Sequence, residues 1–266
     1  MLSIRILSAL VLIPIALVAT YLGGVWFAGL VAVFAALATI EFYQLARRLG
    51  ANPSMFAGTA LSAALAFAAL SQGTGLGASL FILVLAALLL ERVLRQDFAS
   101  YLLDWSSTVA GSAYIGGMLC HAVLLRGLER GFFWVATTLV TTWVSDTAAY
   151  LVGVRWGRRP FFPRVSPRKT VEGAIAGIAV GTATGLGLAV WLLGLSVPEA
   201  MGFGLVLCLA TTFGDLAESL IKRQAAVKDS GRLIPGHGGA LDRIDSLLFA
   251  AVVVYYYAVW IVRVGP

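Results

Sequence analysis

The chain has 266 residues, of which 60% are hydrophobic and only 12% are charged, and its mean hydropathy is +0.92. Ordinary soluble domains do not reach this hydropathy, so the composition excludes that class and favours an integral membrane protein. A net charge of +6 could suggest nucleic-acid binding in a soluble protein, but the placement of the basic residues along this chain accounts for it better.

Nine apolar segments are long enough to cross a bilayer core of about 30 Å as helices. They cover approximately residues 5–22, 26–44, 55–71, 76–94, 105–126, 132–153, 171–193, 200–221 and 244–263. The short alternating segments typical of a membrane barrel do not occur. The sequence therefore predicts an all-α, polytopic membrane bundle of about nine helices. We interpret the first segment as part of a helical hairpin; the alternative is a signal peptide with cleavage near Ala19.

The basic residues fall mainly on one side of this predicted bundle. Of the 19 Lys and Arg residues, all except Arg126, Arg130 and Arg263 lie on the side of the N-terminus. Cytoplasmic loops carry such an excess, so the N-terminus and the charged loops are expected to be cytoplasmic. The same face should attract anionic lipid head groups.

Residues 1–104 are predicted to form a transmembrane scaffold, and residues 105–266 a catalytic region. In the scaffold, Glu41 marks the inner end of the first hairpin. The charged stretch 91–104, which includes Asp104, is interpreted as a solvated junction. Residues that could take part in catalysis or ligand binding appear only after about Trp143.

Asp146 lies near the inner half of the sixth predicted span, where an isolated carboxylate requires a metal or a cationic partner. The loop that follows is strongly basic. Its basic residues after Gly157 are Arg158, Arg159, Arg164, Arg168 and Lys169. Lys169 precedes a predicted helix start at Thr170 and is the best candidate for a phosphate contact, because helix N-termini favour anions. Topology determination and lipid attraction are the alternative for the patch.

Four glycines recur every four residues in the seventh span: Gly173, Gly177, Gly181 and Gly185. Such a stripe lets another helix approach closely. The partner helix could belong to the same chain or to a second subunit of a homodimer.

Asp215 and Glu218 are three residues apart in an apolar helix and project from one face. Carboxylates within a span indicate function by default. Lys222 could form a structural ion pair with Glu218, which leaves Asp215 unexplained.

Asp242 and Asp245 repeat this spacing at the start of the last span. Clusters of hard oxygen ligands suit Mg²⁺. Helix capping is the alternative for Asp242. The loop between the two acidic pairs contains Lys228, Asp229 and a glycine-rich turn, a composition that favours phosphate binding.

His237 lies in that turn and could act as a general base or donate a hydrogen bond to a phosphate. The sequence contains no Walker A loop, nucleophile elbow or HExxH motif, which leaves ATPase, serine hydrolase and zinc protease functions without support.

These residues resemble the phosphatidate cytidylyltransferase family, also called CDP-diacylglycerol synthases. The long spaced signature is matched by Ser219, Lys222, Arg223, Lys228, Asp229, Pro235, His237, Gly238, Gly239, Asp242, Arg243 and Asp245. Segments 145–147 and 166–173 are also similar to the family, so the resemblance covers about residues 143–246. Trp156 departs from the Phe expected before the Gly-Arg pair.

The resemblance implies a transferase of the bacterial cytoplasmic membrane that converts CTP and phosphatidic acid to CDP-diacylglycerol and pyrophosphate. It implies Mg²⁺, and a second, monovalent cation such as K⁺ is a further expectation. On this hypothesis Asp215 and Asp242 hold Mg²⁺ with Asp146 and Asp245 close by, and Lys169, Lys228 and His237 act in catalysis. Substrate contacts are expected from Lys222, Arg223, Asp229, Ser166, Arg168, Gly238, Gly239 and Arg243.

Two alternatives stay open at this point. A related enzyme could use CTP to phosphorylate a polyprenol-type lipid, releasing CDP. A cation or phosphate transporter would also need carboxylates within the membrane. Charged residues clustered at one face argue against the transporter, since they form no path across.

Overall fold

A computed structural model describes residues 14–95, 101–231 and 238–265 of the chain. The described residues are helical apart from turns and loops, and no strand forms within them; Pro160 and Thr170 form an isolated bridge. The predicted all-α class is thus confirmed. The helices are α1 (helical at 14–22), α2 (Gly24–Arg48), α3 (Met55–Ala68), α4 (Leu76–Arg95), α5 (Tyr101–Arg126), α6 (Gly131–Trp156), α7 (Val171–Leu193), α8 (Val197–Gln224) and α9 (Leu241–Val262).

Within the described residues, five helices are long and apolar enough to cross a membrane: α2, α5, α7, α8 and α9. The apolar helices α3 and α4 are shorter. Helix α6 has sufficient length but carries a row of buried threonines, including Thr138 and Thr142, which lowers its hydropathy. Their hydroxyls donate to carbonyl oxygens four residues back, at 2.8 and 2.9 Å. The first nine residues of the predicted span 5–22 lie outside the description.

The chain divides into two compact units. The first comprises Met1–Gly127 and Gln224–Ile244, and the second Leu128–Arg223 and Asp245–Pro266. The division into residues 1–104 and 105–266 stays a prediction about function.

Tyr43 lies at the centre of the first unit and is fully buried. Its hydroxyl donates to the Thr108 carbonyl oxygen at 2.7 Å and lies 3.0 Å from the Ser112 hydroxyl. Gly58 and Gly111 leave the space for its ring, because a Cβ on either would collide with it. Polar contacts therefore fix α2 against α5, and Gly58 lets α3 approach the same ring.

Asp104 is only 4% exposed, so the expected solvated side chain is wrong for this residue. Its Oδ1 accepts a hydrogen bond from the Asn52 amide at 2.6 Å, and Thr108 Oγ1 accepts one from the Ser54 amide at 2.9 Å. These side chains satisfy backbone donors at the start of α3, where no intrahelical partner is available. Asp104 has a structural role.

The glycine stripe of α7 packs against α6 in the second unit. A Cβ at Gly177 would lie 2.8 Å from the Ala149 Cβ and 3.0 Å from the Ser145 carbonyl oxygen. A Cβ at Gly173 would lie 2.7 Å from the Ala149 carbonyl oxygen. The partner helix of the stripe is therefore in the same chain, which answers the question that the sequence left open.

Candidate active site

Three of the four carboxylates predicted to hold a metal come together in the second unit. Asp146 lies on α6, Asp215 on α8 and Asp245 on α9. Asp215 interacts electrostatically with both of the others, and Asp146 also acts on Asp245. Like charges that interact repel one another, so this cluster favours a neighbouring cation.

Lys169 supplies one cation to this cluster. Its ammonium forms an ion pair with Asp215 Oδ2, and the Ser219 hydroxyl donates to Asp215 Oδ1 at 3.3 Å. The side chains of Lys169 and Asp215 are 29% and 33% exposed, so a substrate could reach both. Asp215, which the sequence pattern left unexplained, therefore has a partner in a loop 46 positions earlier.

The backbone before α7 determines where Lys169 lies. The Phe161 amide donates to the Lys169 carbonyl oxygen at 2.8 Å, and the Val171 amide donates to the Arg159 carbonyl oxygen at 2.9 Å. Thr170 caps α7, because its hydroxyl oxygen accepts from the Gly173 amide. The predicted helix start at Thr170 is thus confirmed. Lys169 lies in a short turn that two backbone hydrogen bonds hold in place.

Two further contacts hold the same loop. Glu172 Oε2 accepts hydrogen bonds from the amides of Arg158 and Arg159 at 3.0 and 3.2 Å. Arg223, at the end of α8, donates from Nε to the Val165 carbonyl oxygen at 3.2 Å. Arg223, a predicted substrate contact, therefore also ties the basic loop to the helix that carries Asp215.

The structural ion pair between Glu218 and Lys222 forms as the sequence suggested. Glu218 is fully buried, and its Oε2 contacts the Lys222 ammonium one turn later on α8. Lys222 also interacts electrostatically with Asp245. This lysine consequently adds positive charge beside the carboxylates of the second unit.

Asp242 belongs to the first unit, where it organises the loop before α9. Its Oδ2 accepts from the Gly239 amide at 2.8 Å and from the Ser230 amide and hydroxyl, each at 3.0 Å. The donors lie in the loop before α9, which begins at Leu241, whereas a helix N-cap accepts from amides of the first turn, so these contacts are not those of the capping alternative. The proposed metal role of Asp242 rests on the sequence alone.

Glu41 is a site residue that the sequence reasoning missed. It was interpreted as the mark of a helix end, yet it is only 5% exposed. Its carboxylate accepts from the Ala240 and Leu241 amides and from the Ser230 hydroxyl. The rule applied to Asp215, that a carboxylate in an apolar helix indicates a specific partner, could have identified Glu41 as well.

The other predicted site residues differ in their surroundings. Ser166 is half-buried in the basic loop and accepts from the Lys169 amide through its carbonyl oxygen. Gly238 adopts a φ of +84°, a left-handed conformation that favours glycine. Exposed positions are Arg168, Lys228, Asp229 and Arg243. His237 lies outside the described residues.

The oxygen donors of this site decide whether it suits Mg²⁺. In the described segments, no group of three or more His, Cys, Asp or Glu side chains is arranged to hold a metal ion. Mg²⁺ rarely needs such a cage, since it is commonly bound by one or two carboxylates, several waters and substrate phosphates. Carboxylates of Asp146, Asp215 and Asp245 offer hard oxygen donors of the required type, so the residues fit a Mg²⁺ ion that arrives with a phosphate ligand.

Known proteins are similar to this chain over most of its length. The sequence matches the model of the cytidylyltransferase family over residues 3–261. It is 34% identical to a phosphatidate cytidylyltransferase of Synechocystis, with 98% of this chain and 97% of the relative covered. A protein of the same name from Brucella suis is 39% identical, with 96% and 93% covered. One from Mycobacterium bovis is 36% identical over 61% of this chain and 52% of the relative.

Proposed function

This chain belongs to the cytidylyltransferase family, and we propose that it is a phosphatidate cytidylyltransferase of phospholipid biosynthesis. It transfers the cytidylyl group of CTP to phosphatidic acid and forms CDP-diacylglycerol and pyrophosphate. The observation that carries this proposal is the similarity, over nearly the whole chain, to relatives named for that activity. The cationic and acidic side chains around Asp215 support it.

The reaction is a substitution at phosphorus. An oxygen of the lipid phosphate attacks the α-phosphorus of CTP, the bond to the bridging oxygen breaks, and pyrophosphate leaves with that electron pair. A phosphate monoester has a second pKa of about 6, so the attacking oxygen is largely deprotonated at neutral pH and needs no general base. Positioning and charge neutralisation then supply most of the rate.

Lys169 and Lys222 are the residues of the second unit best suited to that neutralisation. Lys169 already faces a carboxylate and is partly exposed, so it can exchange this partner for a phosphate oxygen. Lys222 remains paired with the buried Glu218 and adds positive charge without leaving its place. We assign Lys169 the phosphate contact and Lys222 a supporting electrostatic role.

Mg²⁺ is the metal proposed for this site, with Asp215, Asp146 and Asp245 as the residues that would hold it. When bound, it would neutralise charge on the phosphates and orient them. Asp242, Lys228 and His237 complete the proposal from the sequence signature. A monovalent cation such as K⁺ is part of the same proposal, and rates measured with K⁺ replaced by choline test it.

The finer topology is also a proposal: nine transmembrane helices in a bacterial inner membrane, with the N-terminus and the active site cytoplasmic. The placement of basic residues supports this orientation. Cysteine labelling from each side of sealed vesicles tests it. A homodimer gains no support from the glycine stripe, which packs within the chain, and the mass of the particle in detergent decides it.

The activity is tested with purified protein, labelled CTP, phosphatidic acid and Mg²⁺. We expect pyrophosphate and a CDP-lipid in equal amounts, and no CDP-lipid when ATP replaces CTP. Release of CDP with a phosphorylated alcohol would instead identify a lipid kinase. Cation or phosphate flux in proteoliposomes without nucleotide turnover would identify a transporter.

A further inference from the structure

Glu41 lies far in sequence from the site residues, but its carboxylate contacts the loop that leads into α9. Oε1 accepts from the Ala240 amide and Oε2 from the Leu241 amide, both at 2.9 Å. These amides lie at the N-terminal end of α9, whose first donors have no intrahelical acceptor. Glu41 therefore caps α9 from α2, at a sequence separation of about 200 residues.

The same carboxylate reaches the other side of the loop. Oε2 accepts from the Ser230 hydroxyl at 2.8 Å, and that hydroxyl also lies 3.0 Å from Asp242 Oδ2. A hydroxyl has a single proton, so it donates to one carboxylate at a time. Ser230 thus links Glu41 to Asp242, and the two carboxylates together fix residues 230 and 239–241.

Two glycines show independently that the loop is built around Glu41. A Cβ at Gly231 would lie 2.7 Å from the Glu41 carboxyl carbon, and one at Gly239 would lie 2.6 Å from the same atom. Neither glycine has a positive φ, so backbone strain does not explain them. Glycine at both positions leaves space for the Glu41 carboxylate, and at Gly239 also for the Ser230 hydroxyl that bonds to it.

We propose that Glu41 is a positioning residue for cytidylyl transfer. It fixes residues 230 and 239–241 and thereby the orientation of Asp242. The inference rests on the proposed function and on the metal role that the sequence signature predicts for Asp242, which is why the Mg²⁺ dependence is its readout. Glu41 touches no substrate in this assignment. It acts through Ser230 and the amides of Ala240 and Leu241.

The first test compares Glu41→Gln with Glu199→Gln. Glu199 is a matched control, because its carboxylate also accepts a backbone amide at a helix start, that of Ser196 at 3.0 Å, but it does so locally. We expect E41Q to lower kcat at least tenfold and to raise the Mg²⁺ concentration for half-maximal rate at least threefold, with neither change in E199Q. A merely structural role would reduce the amount of active protein without shifting the Mg²⁺ dependence, and that result would overturn the proposal.

Hydrogen exchange supplies a readout that needs no turnover. In E41Q the peptide covering residues 238–244 should exchange faster than in the wild type, because the amides of Ala240 and Leu241 lose a charged acceptor. Peptides from α6 should not change. Unchanged exchange at 238–244 in a folded E41Q protein would refute the contact as a determinant of the loop.

Two substitutions on the loop side make the test independent of whether E41Q folds. Ser230→Ala removes the link, and Gly231→Ala should displace the Glu41 carboxylate. Each should reproduce the shift in Mg²⁺ dependence, and S230A combined with E41Q should lose no more than the worse single variant. Full activity in both loop variants would defeat the proposal. An inactive wild type would instead defeat the proposed function.

Discussion

The Lys169 ammonium and the Asp215 carboxylate form an ion pair between the basic loop before α7 and the helix α8. Each side chain is partly exposed, so the pair lies at a surface and is not a buried structural ion pair. A lysine in this position can pass from a carboxylate to a phosphate at little cost, because it keeps an anionic partner throughout. In the proposed reaction, the pair would connect the acidic cluster to the substrate phosphates.

Replacing Lys169 by Gln should lower kcat/KM for CTP by about 100-fold, since one well-placed electrostatic contact to a reacting group has about that effect. The steady-state rate of CDP-lipid formation measures it. Arg164→Gln is the matched control, because Arg164 is an exposed cation of the same loop. Equal losses in both variants would mean that only the overall charge of the loop matters.

Replacing Asp215 by Asn should abolish incorporation of CTP into lipid while the protein still elutes from size-exclusion chromatography as the wild type does. The substitution keeps the shape of the side chain and removes the negative charge that pairs with Lys169 and attracts the proposed metal. Because the two residues are expected to act as a unit, the double variant K169Q/D215N should be no worse than D215N alone. Turnover of D215N near that of the wild type would remove Asp215 from the metal site.

The ion pair of Glu218 and Lys222 should contribute to stability in a different way. Glu218→Gln leaves the Lys222 ammonium without its buried partner, and removing one member of a buried pair costs about 3–5 kcal/mol. Chemical unfolding in detergent measures this loss. Adding Lys222→Met to E218Q should recover part of the stability, although not the activity, because the ammonium that Glu218 neutralised is then removed. A double variant less stable than E218Q would contradict this account.

Helix positions were largely predictable from the sequence, because a long apolar run has few stable alternatives to a helix in a membrane. The predicted spans coincide with α1 to α9 to within a few residues at the described boundaries. The pairing of Glu218 with Lys222 was predictable for a similar reason, since residues four apart on a helix are neighbours. Both features depend on residues that are close in sequence, so the local pattern of residues is enough to predict them.

Contacts between distant segments were not predictable in the same way. Nothing in the spacing of Lys169 and Asp215, or of Glu41 and Leu241, indicates that they meet, because loop backbone geometry decides both contacts. The glycine-rich turn illustrates the limit. Its phosphate binding stays a prediction, and nothing in the sequence indicates that Gly239 of this turn, and Gly231 before it, lie against the Glu41 carboxylate.

Replacing a glycine of α7 by alanine should lower or raise the stability of the protein, depending on whether the glycine belongs to the stripe. Gly177→Ala should destabilise the protein by about 1–3 kcal/mol, because the added Cβ would lie 3.0 Å from the Ser145 carbonyl oxygen and 2.8 Å from the Ala149 Cβ. Gly187→Ala is the matched control on α7, since a Cβ there meets nothing within 4 Å. Alanine also favours the helix over glycine by about 0.5–1 kcal/mol, so G187A should be neutral or stabilising.

Unfolding midpoints of the two variants in the same detergent decide this prediction. Close packing of α7 on α6 requires G177A to unfold first and G187A to unfold no earlier than the wild type. The activity of G177A should fall with its stability, because α6 carries Asp146 and α7 follows directly after Lys169. If both alanine variants were equally stable, the stripe would not be the close contact between α6 and α7, and the geometry that brings Asp146 to Asp215 would need another origin.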